Sequence, residues 1–279
     1  MRVTFCGVRG STPAPGPDFV RYGGNTSCVA LSHDADDGPS LLLDAGTGLR
    51  RVQELLGGRA FDGTLLLTHL HWDHVQGLPF FPSGDRVGSR VSLLLPSEDQ
   101  IGPTELLSRM MSPPFFPIGP SQLRGDWDFG YVPDGAFETE GFSVLARDVP
   151  HKGGRTVGYR VSDGRTSVAY LPDHCPTALG SGPEEVGEYH QAALELACSV
   201  DLLIHDAHLR AEEVEAEASF GHAAAEYAVR LGELAGARQV ALFHHRPERT
   251  DAEVERTVAR FAAGPLTVIA AEEGATVAL

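Results

Sequence analysis

The sequence contains few cysteines and none of the spacing that cysteine-based sites require. Only four of its 279 residues are cysteines, and no two of them form a C-x-x-C pair: Cys6, Cys28, Cys175 and Cys198. This pattern gives no support to a cysteine zinc site or a thiol redox motif. The N-terminal MRVTFCGVRG also lacks an apolar stretch after a basic start, so we expect a reduced, cytoplasmic environment.

Basic residues and long apolar runs are also scarce. The chain has 22 Lys and Arg against 38 Asp and Glu, a formal net charge of −16. Its long-range field repels polyanions, so we expect no long nucleic acid as a partner. Runs such as SLLLDAG and TLLLTH stop after a few residues, far short of the roughly 20 that cross a bilayer, so no membrane partner is expected.

The residues that are present predict a mixed α/β fold. Hydrophobic residues make up 42% of the chain, enough for a sizeable core. Short apolar runs bounded by turn residues predict strands at VTFCGV, SCVAL, SLLLDAG, TLLLTH, VSLLL, FSVLARDV, TVGYRVSD, TSVAYLPD, DLLIHDA, QVALFHH and PLTVIAA. Apolar residues at helical spacing predict helices at GTGLRRVQELLGG, PTELLSRMM, EVGEYHQAALELAC, GHAAAEYAVRLGELAG and from about Asp251 to Phe261. Strands and helices alternate without a sequence repeat, which favours one α/β domain over residues 1–279.

One stretch interrupts this pattern. Between Pro96 and Pro120 the sequence becomes irregular, and the prolines of SPPFFPIGP do not allow regular structure. We predict a lid or insertion at residues 96–130.

The segment LLLTHLHWDHVQG places four potential metal ligands at the end of an apolar strand. His69, His71, Asp73 and His74 fall within six residues. Imidazole nitrogen and carboxylate oxygen suit zinc or a similar divalent transition metal. Burying this many polar groups is costly unless they are paired or bind a cation, which favours a metal site.

Four ligands do not complete two metal sites, and further candidates follow later strands. They are His151 in DVPHKGG, Asp173 in YLPDHC, and His244 with His245 in LFHHRP. Apolar strands that deliver His and Asp from their ends toward one rim are what a binuclear centre needs. The pattern predicts a binuclear metal centre.

THLHWDH resembles the signature of the metallo-β-lactamase superfamily. Further segments, GVRGSTPAPGPDFVRYGGNTSCV, LLLDAGTGL, LLIHDAH and FGHAAAEYA, resemble its phosphodiesterase branch, which contains tRNase Z, the phosphoribosyl cyclic phosphodiesterases and the cyclic-nucleotide phosphodiesterases. The resemblance extends over nearly the whole chain. It implies a four-layer αβ/βα sandwich with metals at the strand ends.

The resemblance also implies a ligand set for two divalent ions, Zn²⁺ or alternatively Mn²⁺ or Fe²⁺. One ion would be held by His69, His71 and His151, the other by Asp73, His74 and His244, with Asp173 bridging them. His244 is chosen because the family's ligand is the first His after the strand, and His245 stays open as the alternative ligand.

Two metals about 3.5–4 Å apart favour phosphodiester hydrolysis, because they can hold an attacking hydroxide and stabilise both the entering and the leaving oxygen. Asp73 would orient the hydroxide or accept its proton. By the resemblance, His222 is the general acid, and Asp206 stands where relatives usually carry a Glu that orients this His. An Asp is one methylene shorter than Glu.

The spacing of the ligands bears on substrate size. In tRNase Z relatives, a long arm that grips tRNA lies between the positions that match His151 and Asp173, where this chain has only 21 residues. We therefore expect a small phosphodiester, with a cyclic nucleotide as the leading substrate. Phe115 and Phe116 would cover a base or ribose, or pack on a second subunit, since the family implies a homodimer. Further candidates for the cleft are Asn25 and His245, with weaker ones at Arg9, Ser11, Tyr22, Thr26, Arg155, Tyr159 and Arg246.

Three alternatives stay open. The same chemistry could act on RNA 3′ ends or on a phosphoribosyl cyclic phosphate. A metallo-hydrolase of a lactam or thioester is possible by analogy of fold. A metal-stabilised binding or sensory protein is the third.

Overall fold

The computed structural model describes residues 1–98 and 100–279. Within them the strands of the first sheet are β1 (Arg2–Gly7), β2 (Cys28–Ser32), β3 (Leu41–Leu43), β4 (Asp62–Leu66), β5 (Arg90–Leu95), β6 (Asp126–Tyr131) and β14 (Thr276–Ala278). Those of the second are β7 (Gly135–Thr139), β8 (Phe142–Asp148), β9 (Val157–Ser162), β10 (Ser167–Leu171), β11 (Leu202–Asp206), β12 (Gln239–Phe243) and β13 (Thr267–Ala270). Their spatial orders are β14-β1-β2-β3-β4-β5-β6 and β13-β12-β11-β10-β9-β8-β7.

Seven α-helices connect the strands of the described chain. They are α1 (Val52–Leu55), α2 (Trp72–Val75), α3 (Pro103–Ser108), α4 (Gln191–Ala197), α5 (Val214–Glu217), α6 (Ala225–Ala235) and α7 (Asp251–Ala259). Helix α7 begins at a capping box in which Glu253 accepts a hydrogen bond from the backbone N–H of Thr250 at 2.9 Å. In the part of the chain that the structure describes, every helix is too short or too polar to span a bilayer.

The main core lies between the two sheets. Phe5 of β1 packs near Phe243 of β12, and Tyr170 of β10 meets the same ring. A second apolar cluster joins the outer face of the second sheet to α4 and α6, and a third joins the outer face of the first sheet to α1 and α3. This is the predicted four-layer αβ/βα sandwich. Because both faces of strands such as β3 and β11 are covered, their sequences read as continuous apolar runs.

The predicted elements need three corrections. Strands β6, β7 and β14 were not predicted, and β6 pairs with β5 inside the range 96–130 that was assigned to a lid. The irregular part of that range therefore stops before Asp126, and Asp99 within it lies outside the described residues. Helix α4 begins at Gln191, later than predicted, because Gly187 has a positive φ of 122° that a helix does not accommodate.

The sheet topology brings the predicted ligands to one edge. Strands β10, β11 and β12 run parallel, so the residues that follow them emerge at the same edge of the second sheet. Strand β4 of the first sheet leads into the H-x-H-x-D-H segment, whose last two ligand candidates, Asp73 and His74, lie in α2. These strand ends of the first and second sheets meet, and the candidate site lies between them.

Candidate metal centre

The structure brings the seven predicted ligands together as two groups that share one carboxylate. In the first ligand group, His69, His71 and His151 place one nitrogen each within 4.8 Å of the others. In the second ligand group, Asp73, His74 and His244 do the same with their ligand atoms. Asp173 lies between the two groups.

The second ligand group has the spacing of a tetrahedral cation site. Nε2 of His74 lies 3.3 Å from Oδ2 of Asp73, 2.9 Å from Oδ2 of Asp173 and 3.4 Å from Nε2 of His244. Nε2 of His244 lies 3.0 Å from Oδ2 of Asp73 and 3.3 Å from Oδ2 of Asp173. Ligand atoms around tetrahedral zinc, with bonds of about 2.0–2.2 Å, lie about 3.4 Å apart. The four atoms therefore fit the coordination shell of such an ion.

The first ligand group meets the other oxygen of Asp173. Nε2 of His151 lies 3.5 Å from Oδ1 of Asp173 and 3.3 Å from Nδ1 of His71. Nε2 of His69 is buried and has no hydrogen-bond partner among the described residues. An unpartnered buried nitrogen is costly unless something binds it. Asp173 thus presents Oδ1 to one group and Oδ2 to the other.

Hydrogen bonds fix which nitrogen of two imidazoles faces the centre. Nδ1 of His74 donates to Oδ2 of Asp44 at 2.8 Å, and Nδ1 of His151 donates to the carbonyl of Gly221 at 2.7 Å. In each ring the opposite nitrogen, Nε2, is left with its lone pair toward the ligand groups. Gly221 precedes His222, so the partner of one ligand is adjacent in sequence to another site residue.

Asp44 is a site residue that sequence reasoning did not identify. It is fully buried after β3, at a positive φ of 60°. Besides His74 it accepts hydrogen bonds from the backbone N–H and the hydroxyl of Thr68 and from the hydroxyl of Tyr170. Its signal in the sequence is the same as that of Asp173, a carboxylate at the end of an apolar strand.

The charges at the centre favour a cation. Burial, followed by the neighbouring His74, lowers the pKa of His69 well below its usual value, so this ring is neutral and its nitrogen can bind a metal. Burial also acts to lower the pKa of His74, but Asp73, Asp173 and Asp44 outweigh it and raise that pKa. The carboxylates therefore attract positive charge to the point that Nε2 of His74 faces. Imidazoles and carboxylates of this kind fit a divalent transition metal.

His222 and Asp206 form a hydrogen-bonded pair beside the first ligand group. Nδ1 of His222 donates to Oδ2 of Asp206 at 3.1 Å. Burial would lower the pKa of His222, but Asp206, followed by Asp173 and Asp73, raises it to about 9. The shorter Asp therefore reaches the ring, and His222 is protonated at neutral pH.

Asp206 is held by backbone N–H groups as well as by His222. It accepts hydrogen bonds from the backbone of His174 at 3.2 Å, of His208 at 2.9 Å and of Ala223 at 3.1 Å. A carboxylate with this many donors is stabilised in its charged form although it is fully buried.

A cleft of about 650 Å³ opens over the centre. His71, Asp73, His151 and His222 line it, together with His208. The ring of His208 stacks on that of His222 with centroids 4.2 Å apart. Burial, followed by His222 and His244, lowers the pKa of His208 to about 3, so this ring is neutral. From the sequence, His208 was interpreted as structural, although it follows β11 at the same edge as Asp206.

Two backbone features near the start of the chain hold the second ligand group in place. The N–H of Ser11 donates to Oδ2 of Asp73 at 2.7 Å. Gly10 packs so closely on His244 that a Cβ there would lie 2.4 Å from Nδ1 of that ring. A side chain at Gly10 would displace this ligand.

Two predicted substrate contacts have partners inside the protein. The amide of Asn25 donates to Glu273 at 2.7 Å. The ring of His245 is buried and bonds the carbonyl of Ala271 at 3.0 Å. Neither side chain lines the cleft, and His244 rather than His245 faces the other ligands. Phe115 and Phe116 lie in a neighbouring cavity that shares Trp72 with the cleft.

Most of the weaker candidates also have other partners. Arg9 is buried and donates to the carbonyls of Gly23 and Arg249. Arg155 pairs with Asp148 and Asp134, and Arg246, which lines the cleft, pairs with Glu217 and Glu248. Inside the protein, Tyr22 packs on His245, Thr26 bonds Thr47 and Tyr159 bonds the carbonyl of Leu67. Of this set, Ser11 and Arg246 line the cleft.

Comparison with known proteins agrees with this fold. The family described as Beta-lactamase superfamily domain matches residues 40–245, a range that contains all seven predicted ligands. Ribonuclease Z of Natronomonas pharaonis is 26% identical over 284 residues, covering 88% of this chain and 86% of that relative.

Two solved structures share the fold. The metallo-beta-lactamase fold protein YhfI from Bacillus subtilis has a TM-score of 0.72 at 18% identity and covers 99% of both chains. A diphosphatase from the PhnP family has a TM-score of 0.67 at 20% identity, covering 100% of this chain and 97% of that one. The predicted family is thus confirmed, and the chain belongs to the beta-lactamase superfamily, with the metallo-β-lactamase fold.

Proposed function

We propose that the chain is a binuclear metal-dependent phosphodiesterase that hydrolyses a small phosphodiester, with a cyclic nucleotide as the leading substrate. At the level of reaction class it is a metal-dependent phosphoric diester hydrolase, since 88% of its length aligns with a ribonuclease Z at 26% identity.

One observation carries the proposal: Asp173 presents one oxygen to each of two ligand groups. Two cations bound there would supply Lewis acidity and an activated water, which suits the in-line displacement of a phosphodiester. Zinc is our first choice because the donors are mostly imidazoles, although manganese and iron accept the same donors.

The chain's own residues then handle the protons. Burial would raise the pKa of Asp73, but His74 and His244 lower it, so the carboxylate is charged and can orient the attacking water by accepting a hydrogen bond from it. Its orientation is fixed by the N–H of Ser11. His222, held by Asp206 and protonated, is placed to donate a proton to the leaving oxygen.

Several features support a small substrate. Strands β9 and β10 occupy the chain between His151 and Asp173 and are joined by residues 163–166 alone, which leaves no room for an arm. Arg246, which lines the cleft, already pairs with Glu217 and Glu248. Binding a long nucleic acid depends on free basic residues, which this cleft does not offer within the described residues.

A second candidate function is cleavage at RNA 3′ ends. The name of the relative, ribonuclease Z, and its high coverage favour it. Only the terminal nucleotides of an RNA would need to enter the cleft, so the geometry accepts this substrate too. A phosphoribosyl cyclic phosphate fits the same reasoning, and a lactam or thioester gains less from the proton donor His222.

The test combines metal analysis with turnover. Purified protein is analysed for bound metal and assayed with bis(p-nitrophenyl) phosphate, a panel of cyclic nucleotides and a short RNA with a 3′ extension. We expect about two metals per chain and faster turnover of a cyclic nucleotide than of RNA. Asp173→Ala should lose both metal and turnover. Metal-loaded protein that cleaves none of these diesters would contradict the proposal, and preferential cleavage of RNA would select the second candidate.

The homodimer and the cytoplasmic location stay predictions. Sedimentation velocity of the purified protein tests the first, and fractionation of the source cells tests the second.

A further inference from the structure

A cavity with aromatic walls lies beside the catalytic cleft. Its volume is about 630 Å³, and its lining includes Trp72, Phe80, Phe115 and Phe116. Trp72, Phe80 and Phe115 are 76%, 60% and 82% exposed, although apolar side chains of this size normally lose water on folding. Phe80 and Phe116 meet edge to face with ring centroids 5.7 Å apart, so two of these aromatic rings support each other.

The cavity is continuous with the catalytic cleft. Leu70 and Trp72 line both spaces. Trp72 begins α2 and stands in the sequence between the ligands His71 and Asp73, so the wall shared by the two spaces is built from the metal-binding segment itself. A molecule whose phosphate reaches the ligand groups can therefore extend into the cavity without leaving the protein surface.

The two spaces differ in charge. The cleft contains the carboxylates of Glu217 and Glu248 as well as that of Asp73. Among the described residues that line the cavity, none is acidic, and Arg109 is the charged one. In a chain with a net charge of −16, this is the part of the site least repulsive to the organic portion of an anion.

We infer that the cavity binds the ester group that stays on phosphorus, and that this group carries an aromatic ring such as a nucleobase. The inference rests on the proposed function. His222 lies in the cleft, so the oxygen to which it donates its proton leaves through the cleft. In the reaction, a water oxygen forms a bond to phosphorus, the bond to the leaving oxygen breaks, and that oxygen takes a proton. An open-chain diester gives an alcohol and a phosphomonoester whose aromatic group remains in the cavity. A cyclic nucleotide opens to a single nucleoside monophosphate, whose base remains there.

Three substrates with the same leaving group test this assignment. Methyl p-nitrophenyl phosphate, phenyl p-nitrophenyl phosphate and thymidine 5′-(p-nitrophenyl phosphate) all release p-nitrophenol and differ in the group that stays. We expect the kcat/KM ratio of each aromatic substrate to the methyl one to fall by about tenfold in Trp72→Ala and in Phe116→Ala, the loss of one stacking contact. Because the kcat/KM ratio of each variant is compared with that of wild type, differences in the intrinsic reactivity of the diesters cancel.

Controls separate this inference from the proposed function. Leu179, an exposed apolar residue outside both spaces, provides the variant Leu179→Ala, which should keep the wild-type ratios. Metal content is measured for every variant, because Trp72 adjoins two ligands. If metal-loaded wild type cleaves none of the three diesters, the proposed function fails. If it cleaves them and the cavity variants keep the wild-type ratios, the cavity inference alone is overturned.

Another occupant of the cavity would be a second copy of the chain. Sedimentation velocity of wild type and Phe115→Asp addresses it. A dimer that dissociates in Phe115→Asp, combined with unchanged ratios in the cavity variants, would assign this face to contact between copies and overturn the inference. Unchanged association together with the fall in ratio supports it.

Discussion

The pair of His222 and Asp206 allows a quantitative prediction. The pKa of His222 is raised from an ordinary value of 6.5 to about 9. At about 1.4 kcal/mol per unit, this corresponds to about 3 kcal/mol in favour of the protonated ring. Burial acts to lower this pKa; among the groups that raise it, Asp206 contributes most, followed by Asp173 and Asp73. Asp206→Asn removes the first of these charges and keeps the other two, so we expect the pKa of His222 to fall by roughly 1–2 units.

The consequence is a shift in the alkaline limb of the pH–rate profile. A general acid works only while it is protonated, so the rate falls as the pH rises through the pKa of His222. We therefore expect the limb of Asp206→Asn to lie about 1–2 pH units below that of wild type, for substrates with an alkoxide leaving group. Bound cations repel the imidazolium and move the alkaline limbs of both wild type and Asp206→Asn to lower pH. The measured quantity is therefore the pH difference between the two limbs.

Two further variants make this test specific. Asp206→Glu restores a carboxylate of the length usual in relatives and should return the limb toward that of wild type. His222→Ala should slow alkoxide-leaving substrates by about 10²–10⁴-fold, and nitrophenyl substrates far less, because nitrophenolate leaves without a proton. Metal content and circular dichroism establish that each variant is folded and loaded. Superimposable limbs for Asp206→Asn and wild type, or equal slowing of both substrate types by His222→Ala, would refute the proton-donor role.

Three other predictions concern the ligands and the fold. His69→Ala should abolish turnover and release metal, measured by elemental analysis; a variant that keeps both would remove His69 from the ligand set. Asp44→Asn weakens the hydrogen bond that orients His74 and should reduce metal affinity by about 10–100-fold in a chelator competition, whereas unchanged affinity would show that Asp44 does not support the ligand. Burial would raise the pKa of Glu213, but its hydrogen bonds, of which the one from Arg249 contributes most, lower it to about 2. The contribution of Glu213 to stability is therefore present above pH 4.5 and is lost as the pH falls toward 2. Glu213→Gln should therefore lower the free energy of unfolding by about 1 kcal/mol at pH 7, and the difference should shrink below pH 4.5 in urea titrations; a difference independent of pH would contradict this ion pair.

The candidate metal ligands could be recognised in the sequence because each follows an apolar strand. Strands β10 and β12 run in the same direction in the second sheet, so Asp173 and His244, which follow them, were candidates for one edge before their distances were known. His69 follows β4 of the first sheet. The choice between His244 and His245 came from resemblance, and the structure shows the physical difference between them. His244 adopts a positive φ of 57° that turns its ring to the ligands, while His245 points into the protein.

What the sequence did not reveal depends on pairing in space. Asp44 is separated from His74 by 30 residues, and nothing local marks the hydrogen bond between them. Strand β6, DWDFGY, carries two acidic residues and lies at the edge of its sheet, so it lacks the continuous apolar run by which the inner strands were recognised. The stacking of His208 on His222 likewise needs the return of the chain from α5 to α6.

The shared carboxylate and the two ligand groups also have a consequence for how the chain holds together. His74 follows a strand of the first sheet and His244 a strand of the second, 170 residues further along the chain. An ion bound by both His74 and His244 would crosslink the two sheets, as a disulfide that closes a very long loop does. Closing such a loop in the unfolded chain is entropically unfavourable, so metal bound only by the native arrangement adds to stability. The supply of divalent metal would then govern how much of this polypeptide is folded as well as how much of it is active.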